Sequence, residues 1–218
     1  VPWLSKPLVN RSNRIPITER LTPPTGEIET PMSEDEVRAA AELFKKRGLD
    51  AVIVGFLFSF LNDTHEKRAV EIIKEVMPDA FVCASSEVVN VIREYERFSS
   101  TAMNAYIGPK TALYLRSLES RLKKNNITAA VRIMQSNGGI STIDQSASRP
   151  IGLLLSGPAG GVIGGRWTGG HSDTSNVITI DIGGTSADIS VIQDGQLRTK
   201  NPRASAVAGL PVLAPMRA

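Results

Sequence analysis

The sequence predicts an α/β protein in which mixed sheets are flanked by helices. Two observations carry this class. Between residues 33 and 86, helix-period segments alternate with short apolar, β-branched runs, the pattern of strand–helix–strand units. Beyond residue 125, glycine crowds around further apolar strands, with twelve of the 18 glycines lying between Asn137 and Gly184.

Residues 1–32 are rich in Pro and Thr and predict extended chain with a turn at Pro23-Pro24-Thr25-Gly26. "SEDEVRAAAELFKKRG" carries a helix-start signature, with Ser33 as cap, Glu36 three residues on and Gly48 as stop. Val37, Ala40, Ala41 and Phe44 fall on one face of it. "DAVIVGFLF" reads as a buried strand. "THEKRAVEIIKEVMP" reads as a second helix capped by Thr64, with Val70, Ile73 and Met77 on its apolar face, and "AFVCASS" as another strand. Short connections make this a βαβ unit on a mainly parallel sheet. A long helix is expected from about Ser100 to Asn125, with Gly108-Pro109 as a point of kinking. "AAVRIMQSNGGIST" is a strand running into a glycine loop. A composition shift near residue 125 predicts two domains, 1–125 and 126–218.

Bulk properties narrow the function. A net charge of +3 on 218 residues is slight, and the basic runs Lys45-Lys46-Arg47 and Lys123-Lys124 sit at helix ends, where cations suit the dipole. Nucleic-acid binding is not expected. No run reaches the roughly 18 apolar residues of a membrane helix, so no membrane role is expected and the cytoplasm is the expected compartment. The lone Cys83 cannot form an internal disulfide and, in an apolar strand, is expected to be a buried, inert thiol.

The chemistry concentrates in "ITIDIGGTSADIS", residues 178–190. A buried strand ends at Asp181, two glycines follow, and a second strand returns past Asp188. Gly183 and Gly184 let backbone N–H groups approach a phosphate, because no Cβ stands in the way. The hydroxyls of Thr185 and Ser186 add donors, and Asp181 can hold Mg²⁺ or orient a nucleophilic water. A plain β-hairpin with the two aspartates as turn formers is the competing reading. Upstream, "SGPAGGVIGG" is compatible with a helix bare enough for close packing or for a ligand at its N-terminus, and equally with a flexible glycine loop. In "REYERFSST", Arg93, Glu94, Glu96 and Arg97 are either a site-facing cluster or two i,i+3 pairs on a solvated helix. His65 is expected near a helix cap, without a ligand role.

The order of elements, small-residue helix, loop, strand, Asp-x-Gly-Gly-Thr, strand, resembles the second half of the actin-like ATPase superfamily. "PITERL", "GEIETPMSEDEV", "NDTHEKRAVEII", "REYERFSSTAMNAY", "MQSNGGI", "LLSGPAGGVIGG" and "DIGGTSADIS" together resemble the hydantoinase A/5-oxoprolinase family, and the likeness covers nearly the whole chain. It implies parts of two actin-like (ribonuclease H-like) lobes: residues 1–125 from the N-terminal lobe, and 126–218 starting the hydantoinase A lobe with its connector helix and second phosphate loop. It implies ATP and Mg²⁺ as cofactors of the complete enzyme. The implied reaction is opening of a cyclic amide, of the hydantoin or 5-oxoproline class, by phosphorylation of a carbonyl oxygen; the related ketone carboxylases offer an alternative.

Carried over residue by residue, Asp181, Gly183, Gly184, Thr185 and Asp188 match the phosphate hairpin, and Gly157, Pro158, Gly160 and Gly161 match the connector. Ser136, Asn137, Gly138 and Gly139 match a loop placed near the site. Family members carry a first hairpin of the same kind and a later nucleoside-binding segment. The expectation is therefore a middle piece of a longer enzyme, inactive alone, that partners a B-type hydantoinase subunit or the remaining parts of the same enzyme, and forms oligomers. A short phosphate-binding or assembly module is the other reading.

Overall fold

The computed structural model describes residues 7–184, 187–197, 206–207 and 209–213. The chain divides into two compact units, Val1–Thr111 with Ala206–Leu213, and Ala112–Ser205 with Ala214–Ala218.

The first unit opens with a hairpin of β1 (Arg20–Thr22) and β2 (Glu27–Thr30), turned at the expected Pro-Pro-Thr-Gly segment by Gly26 at φ +76°. Helix α1 (Glu34–Lys46) buries Val37, Ala40, Ala41 and Phe44, the face expected from their spacing. Ser33 Oγ accepts from Glu36 N at its start. The Glu36 carboxylate, however, does not reach back to the cap. It accepts from Thr18 N at 2.6 Å and Thr18 Oγ1 at 3.0 Å, and so fastens the N-terminal segment to the helix.

Strand β3 (Ala51–Val54) is shorter than the apolar run that announced it, because the chain turns away after Gly55 and Phe58 takes a left-handed φ of +59°. Helix α2 (Thr64–Val76) follows; its N-cap is Asp63, not the expected Thr64, and the Asp63 side chain makes no capping hydrogen bond. Asn62 Oδ1 instead accepts from both Thr64 N and Thr64 Oγ1. Its buried face is also rotated from the expected one, to His65, Glu66, Ala69, Ile72, Ile73 and Val76, leaving Val70 half-buried. Strand β4 (Phe81–Ala84) pairs parallel with β3, Ala51 opposite Phe81 through Val54 opposite Ala84. This completes the βαβ unit. One core joins α1, α2 and the inward side chains Val52 and Val54.

A single turn, α3 (Ser85–Val88), leads to α4 (Glu94–Lys124), which runs unbroken through Pro109 and starts six residues before the expected Ser100. Gly108-Pro109, expected as a point of kinking, does not interrupt it. Gly108 is required for a close approach, since a Cβ there would meet the Phe81 ring at 2.6 Å.

In the second unit, β5 (Ile133–Met134) and β6 (Ile140–Ser141) form a short hairpin. Helix α5 (Ile143–Ser148) starts with a full capping box between Thr142 and Gln145. Leu115, Ile143 and Ala147 form a small core. The glycine-rich segment is a helix, α6 (Ser156–His171), and not a loop. An antiparallel sheet follows, β7 (Val177–Ile182), β8 (Ala187–Gln193) and β9 (Gln196–Leu197). A short ladder of β10 (Ala206–Val207) and β11 (Leu210–Pro211) belongs to the first unit, where Leu213 N donates to Ser100 Oγ. No described helix is long and apolar enough to cross a membrane.

Candidate functional site

The hairpin of β7 and β8 sets Asp181 directly opposite Asp188, with Ile182 opposite Ala187 closing the ladder. Gly183 and Gly184 begin the turn; Thr185 and Ser186 lie outside the described residues. Cross-strand partners share a face, so the two carboxylates project on the same side. Both aspartates are exposed. Like charges directly opposite one another weaken a ladder unless something positive lies between them.

Helix α6 covers that same face. A Cβ on Gly169 would meet Val177 Cγ2 at 2.7 Å, one on Gly165 would run into Thr179 Cγ2, and one on Gly161 would lie 3.6 Å from Asp181 Oδ2. Four residues of helix advance about 6 Å and two residues of strand about 6.7 Å, so glycines at every fourth position track alternate strand residues. The helix therefore runs antiparallel to β7 and aims its N-terminus at the hairpin turn.

That helix end carries unpaired backbone donors. Leu155 caps it at φ +61° with no side-chain hydrogen bond, and its first turn has no acidic residue. Four orphan N–H positions at a helix start attract anions, and Pro158 removes one of them. Beside it lies the loop 135–139. Ser136 is buried and donates both N and Oγ to Gly152 O, at 2.8 and 2.9 Å. Asn137 Oδ1 accepts from Gly139 N at 2.8 Å, and Gly138 supplies the left-handed turn at φ +78°. The loop is joined to the helix through Met134, whose Cγ would be 3.7 Å from a Cβ on Gly160. Within the second unit α6 thus packs against Asp181 at Gly161 and against Met134, which precedes the 135–139 loop, at Gly160.

The charged cluster of residues 93–97 lies in the first unit and resolves differently for each member. Arg93 pairs with Glu96 at 3.4 Å on the surface, as an i,i+3 pair would. Arg97 overturns the solvated reading: it is fully buried. Its guanidinium donates to Ser85 Oγ (3.0 Å), Val91 O (3.1 Å) and Phe56 O (2.7 Å), and burial holds its pKa below the usual arginine value. Next to it Glu66, also fully buried, accepts from Phe56 N, Ser85 Oγ, Ser86 N and Ser86 Oγ at 2.7–2.8 Å. Nothing in the sequence marked Glu66; the one available signal was its position beside Ala69 and Ile73 on the inward face of α2. His65 is buried too, its Nδ1 3.0 Å from Glu19 Oε2. Cys83 is buried as expected, which pushes its thiol up to about 12. Among the described residues, no three His, Cys, Asp or Glu side chains gather to hold a metal by themselves.

A family model described as Hydantoinase/oxoprolinase matches residues 97–217, and one for the Hydantoinase/oxoprolinase N-terminal region matches residues 2–77. The caprolactamase subunit alpha of Pseudomonas jessenii is 34% identical over 189 residues, covering 87% of this chain and 27% of that protein. The 5-oxoprolinase of Saccharomyces cerevisiae is 34% identical over 75% of this chain and 12% of its own length. An acetone carboxylase structure, nucleotide-free and described in terms of ATP-dependent acetone carboxylation, matches with a TM-score of 0.80 at 27% identity. That match covers 93% of this chain and 28% of the carboxylase chain. The chain spans about a quarter of the length of the caprolactamase subunit.

Proposed function

The chain belongs to the hydantoinase/oxoprolinase family, and from that premise we propose that it forms the phosphate-holding part of an ATP-dependent subunit that opens cyclic amides. The observation that carries this reading is the facing pair Asp181 and Asp188 next to the Gly183-Gly184 turn, with Gly161 of α6 packed against Asp181. In this reading the backbone N–H groups of the turn and of the helix start bind phosphate oxygens, and Thr185 and Ser186 add hydroxyl donors. Asp181 is the metal ligand and Asp188 its neighbour in the acid–base work, holding or orienting a water. Two facing carboxylates are hard oxygen donors and suit Mg²⁺, with waters and phosphate oxygens completing its shell. ATP, when bound, supplies the phosphoryl group that activates a carbonyl oxygen. Ser136, Asn137 and Gly138 flank the helix start, and Gly157 and Gly160 keep the approach open.

Cyclic amides are the favoured substrate class because the caprolactamase and 5-oxoprolinase relatives are each 34% identical to the chain. Ketone carboxylation is the second reading, supported by the 0.80 TM-score to the acetone carboxylase. The caprolactamase relative is named as a subunit, which supports a partner chain, of the B type, for the working enzyme.

Calorimetric titration of the chain with ATP, with and without Mg²⁺, tests the clamp. Micromolar binding that needs Mg²⁺ and disappears in Asp181→Ala is the expected result. Equal binding by the variant would remove Asp181 from the metal role. No binding by the folded chain would show that the clamp works only within a longer subunit, and the same pair would then be compared there.

A further inference from the structure

The loop 135–139 has a chemistry of its own, apart from the phosphate reading. Among the asparagines of the sequence, Asn137 alone is followed by glycine. An asparagine side-chain carbonyl lies within reach of the next residue's backbone nitrogen, and attack there closes a five-membered ring. Bulk on the following residue hinders that attack, and glycine has no Cβ to supply any. The turn leaves little choice of residue at 138, because its φ of +78° is a conformation that side-chain-bearing residues rarely adopt. The residue that the fold demands is therefore the one that leaves Asn137 least shielded.

The same turn restrains both reacting groups. Gly138 N, the nucleophile, donates to Gln135 O at 2.9 Å. It can attack only after giving up its proton, and an N–H held in a hydrogen bond gives that proton up only when the bond opens. Asn137 Oδ1 accepts from Gly139 N at 2.8 Å, which fixes the side-chain amide. Gln135 N donates to Gly139 O at 2.9 Å, closing the base of the turn. Ser136 N and Oγ, both bonded to Gly152 O, fasten it from outside. Asn137 is only half-buried, so water reaches it.

We propose that Asn137-Gly138 is a site of spontaneous modification that the folded turn guards and that opening of the turn exposes. In the open loop Gly138 N gives up its proton and attacks Asn137 Cγ. The N–Cγ bond forms, the Cγ–Nδ2 bond breaks, and the nitrogen leaves as ammonia after taking up a proton, giving a succinimide. Water then opens the ring at either carbonyl. One opening leaves aspartate; the other leaves isoaspartate, with the chain rerouted through the side chain. Both products carry a new negative charge. Isoaspartate also adds a carbon to the backbone, which takes Gly138 N and Gly139 O out of register with Gln135. The ammonia does not return, so the modified fraction records the time that the loop has spent open.

The full chain is incubated at mildly alkaline pH, folded in buffer and unfolded in guanidinium chloride. Peptide mass spectrometry follows conversion at each asparagine, and NMR measures hydrogen exchange of the Gly138 amide in the folded chain. In the unfolded chain Asn137 is expected to convert before every other asparagine. In the folded chain its conversion is expected to be about tenfold slower or more, by the same factor as exchange at Gly138, since both reactions wait for one opening. Equal conversion rates in the two states would overturn the proposal, because the hydrogen bonds of the turn would then guard nothing. So would faster conversion of another asparagine in the unfolded chain. A slowing of conversion that departs from the Gly138 exchange factor by more than about tenfold would also overturn it, since the two reactions would then not share an opening.

Discussion

Removing the carboxylate of Glu66 strands four donors at once: two backbone N–H groups and two hydroxyls, all within the first unit. A buried donor left unpaired costs about 1–3 kcal/mol, and the hydroxyls can rotate to other acceptors. Glu66→Ala is therefore expected to lower stability by about 3–5 kcal/mol in urea unfolding, and Glu66→Gln by clearly less, because the amide keeps one acceptor. Arg97→Met keeps the aliphatic stem and loses three donors, so a loss of about 2–4 kcal/mol is expected. Cys83 gives a test with a pH sign. With its thiol raised to about 12 by burial, it carries almost no thiolate at pH 8. Ellman's reagent is expected to react with it at least a hundredfold more slowly than with a free thiol. The rate should climb as the pH rises and become ordinary once the chain is unfolded. The charged residues were the part of the molecule least legible in the sequence. Spacing showed that Arg97 stands three residues from Glu94, but an i,i+3 pair looks the same on a wet surface and at the mouth of a buried network. What decides it is the carbonyls of Phe56 and Val91 and the hydroxyl of Ser85, brought from 41, 6 and 12 positions away.

At the scale of elements, the helix α1 and the parallel pairing of β3 with β4 were legible because local signals agreed: a cap, an apolar face and two β-branched runs. The cap of α2 was not, because Asn62, Asp63 and Thr64 are all good capping residues and only the path of the preceding loop puts Asp63 in the cap position. The glycine helix was half legible. Composition could not separate a helix from a loop, since glycine disfavours helix at about 1 kcal/mol per residue. The structure supplies the compensation, with Gly165 and Gly169 fitting under Thr179 and Val177. A pair of substitutions checks this. Gly165→Ala drives a methyl into Thr179 Cγ2, and a stiff β-branched neighbour yields poorly, so a loss of about 1–3 kcal/mol is expected. Gly164→Ala meets nothing within 4 Å among the described residues and is expected to stabilise by up to about 1 kcal/mol. Thermal unfolding of the two variants reads the contrast directly.

For the molecule as a whole, the sheet of the second unit has one dressed face and one bare one. Opposite α6, Ile178, Ile180, Ile182, Ile189 and Val191 are each more than half exposed. Five branched aliphatic side chains on one face are a surface on which association is expected. Sedimentation velocity is expected to show concentration-dependent association of the chain, and Ile180→Thr with Val191→Thr is expected to reduce it. The double variant keeps β propensity, so circular dichroism should not change. Sedimentation of the double variant that matches the unaltered chain would place the contact elsewhere.

The contacts between α6 and β7 are closest toward the C-terminal half of the helix. Methyl groups on Gly169 and Gly165 would collide with Val177 and Thr179, whereas one on Gly161 would lie 3.6 Å from Asp181 Oδ2, an ordinary contact. Helix and strand are two rulers with unequal divisions, differing by about 0.7 Å per step. Like the scales of a vernier, they coincide over a few marks and then part. Coincidence falls at Gly165 and Gly169, where the helix seats directly on Thr179 and Val177, and at Gly161 the fit relaxes to an ordinary contact with Asp181. The end of the seam beside Asp181 is therefore the one held least tightly.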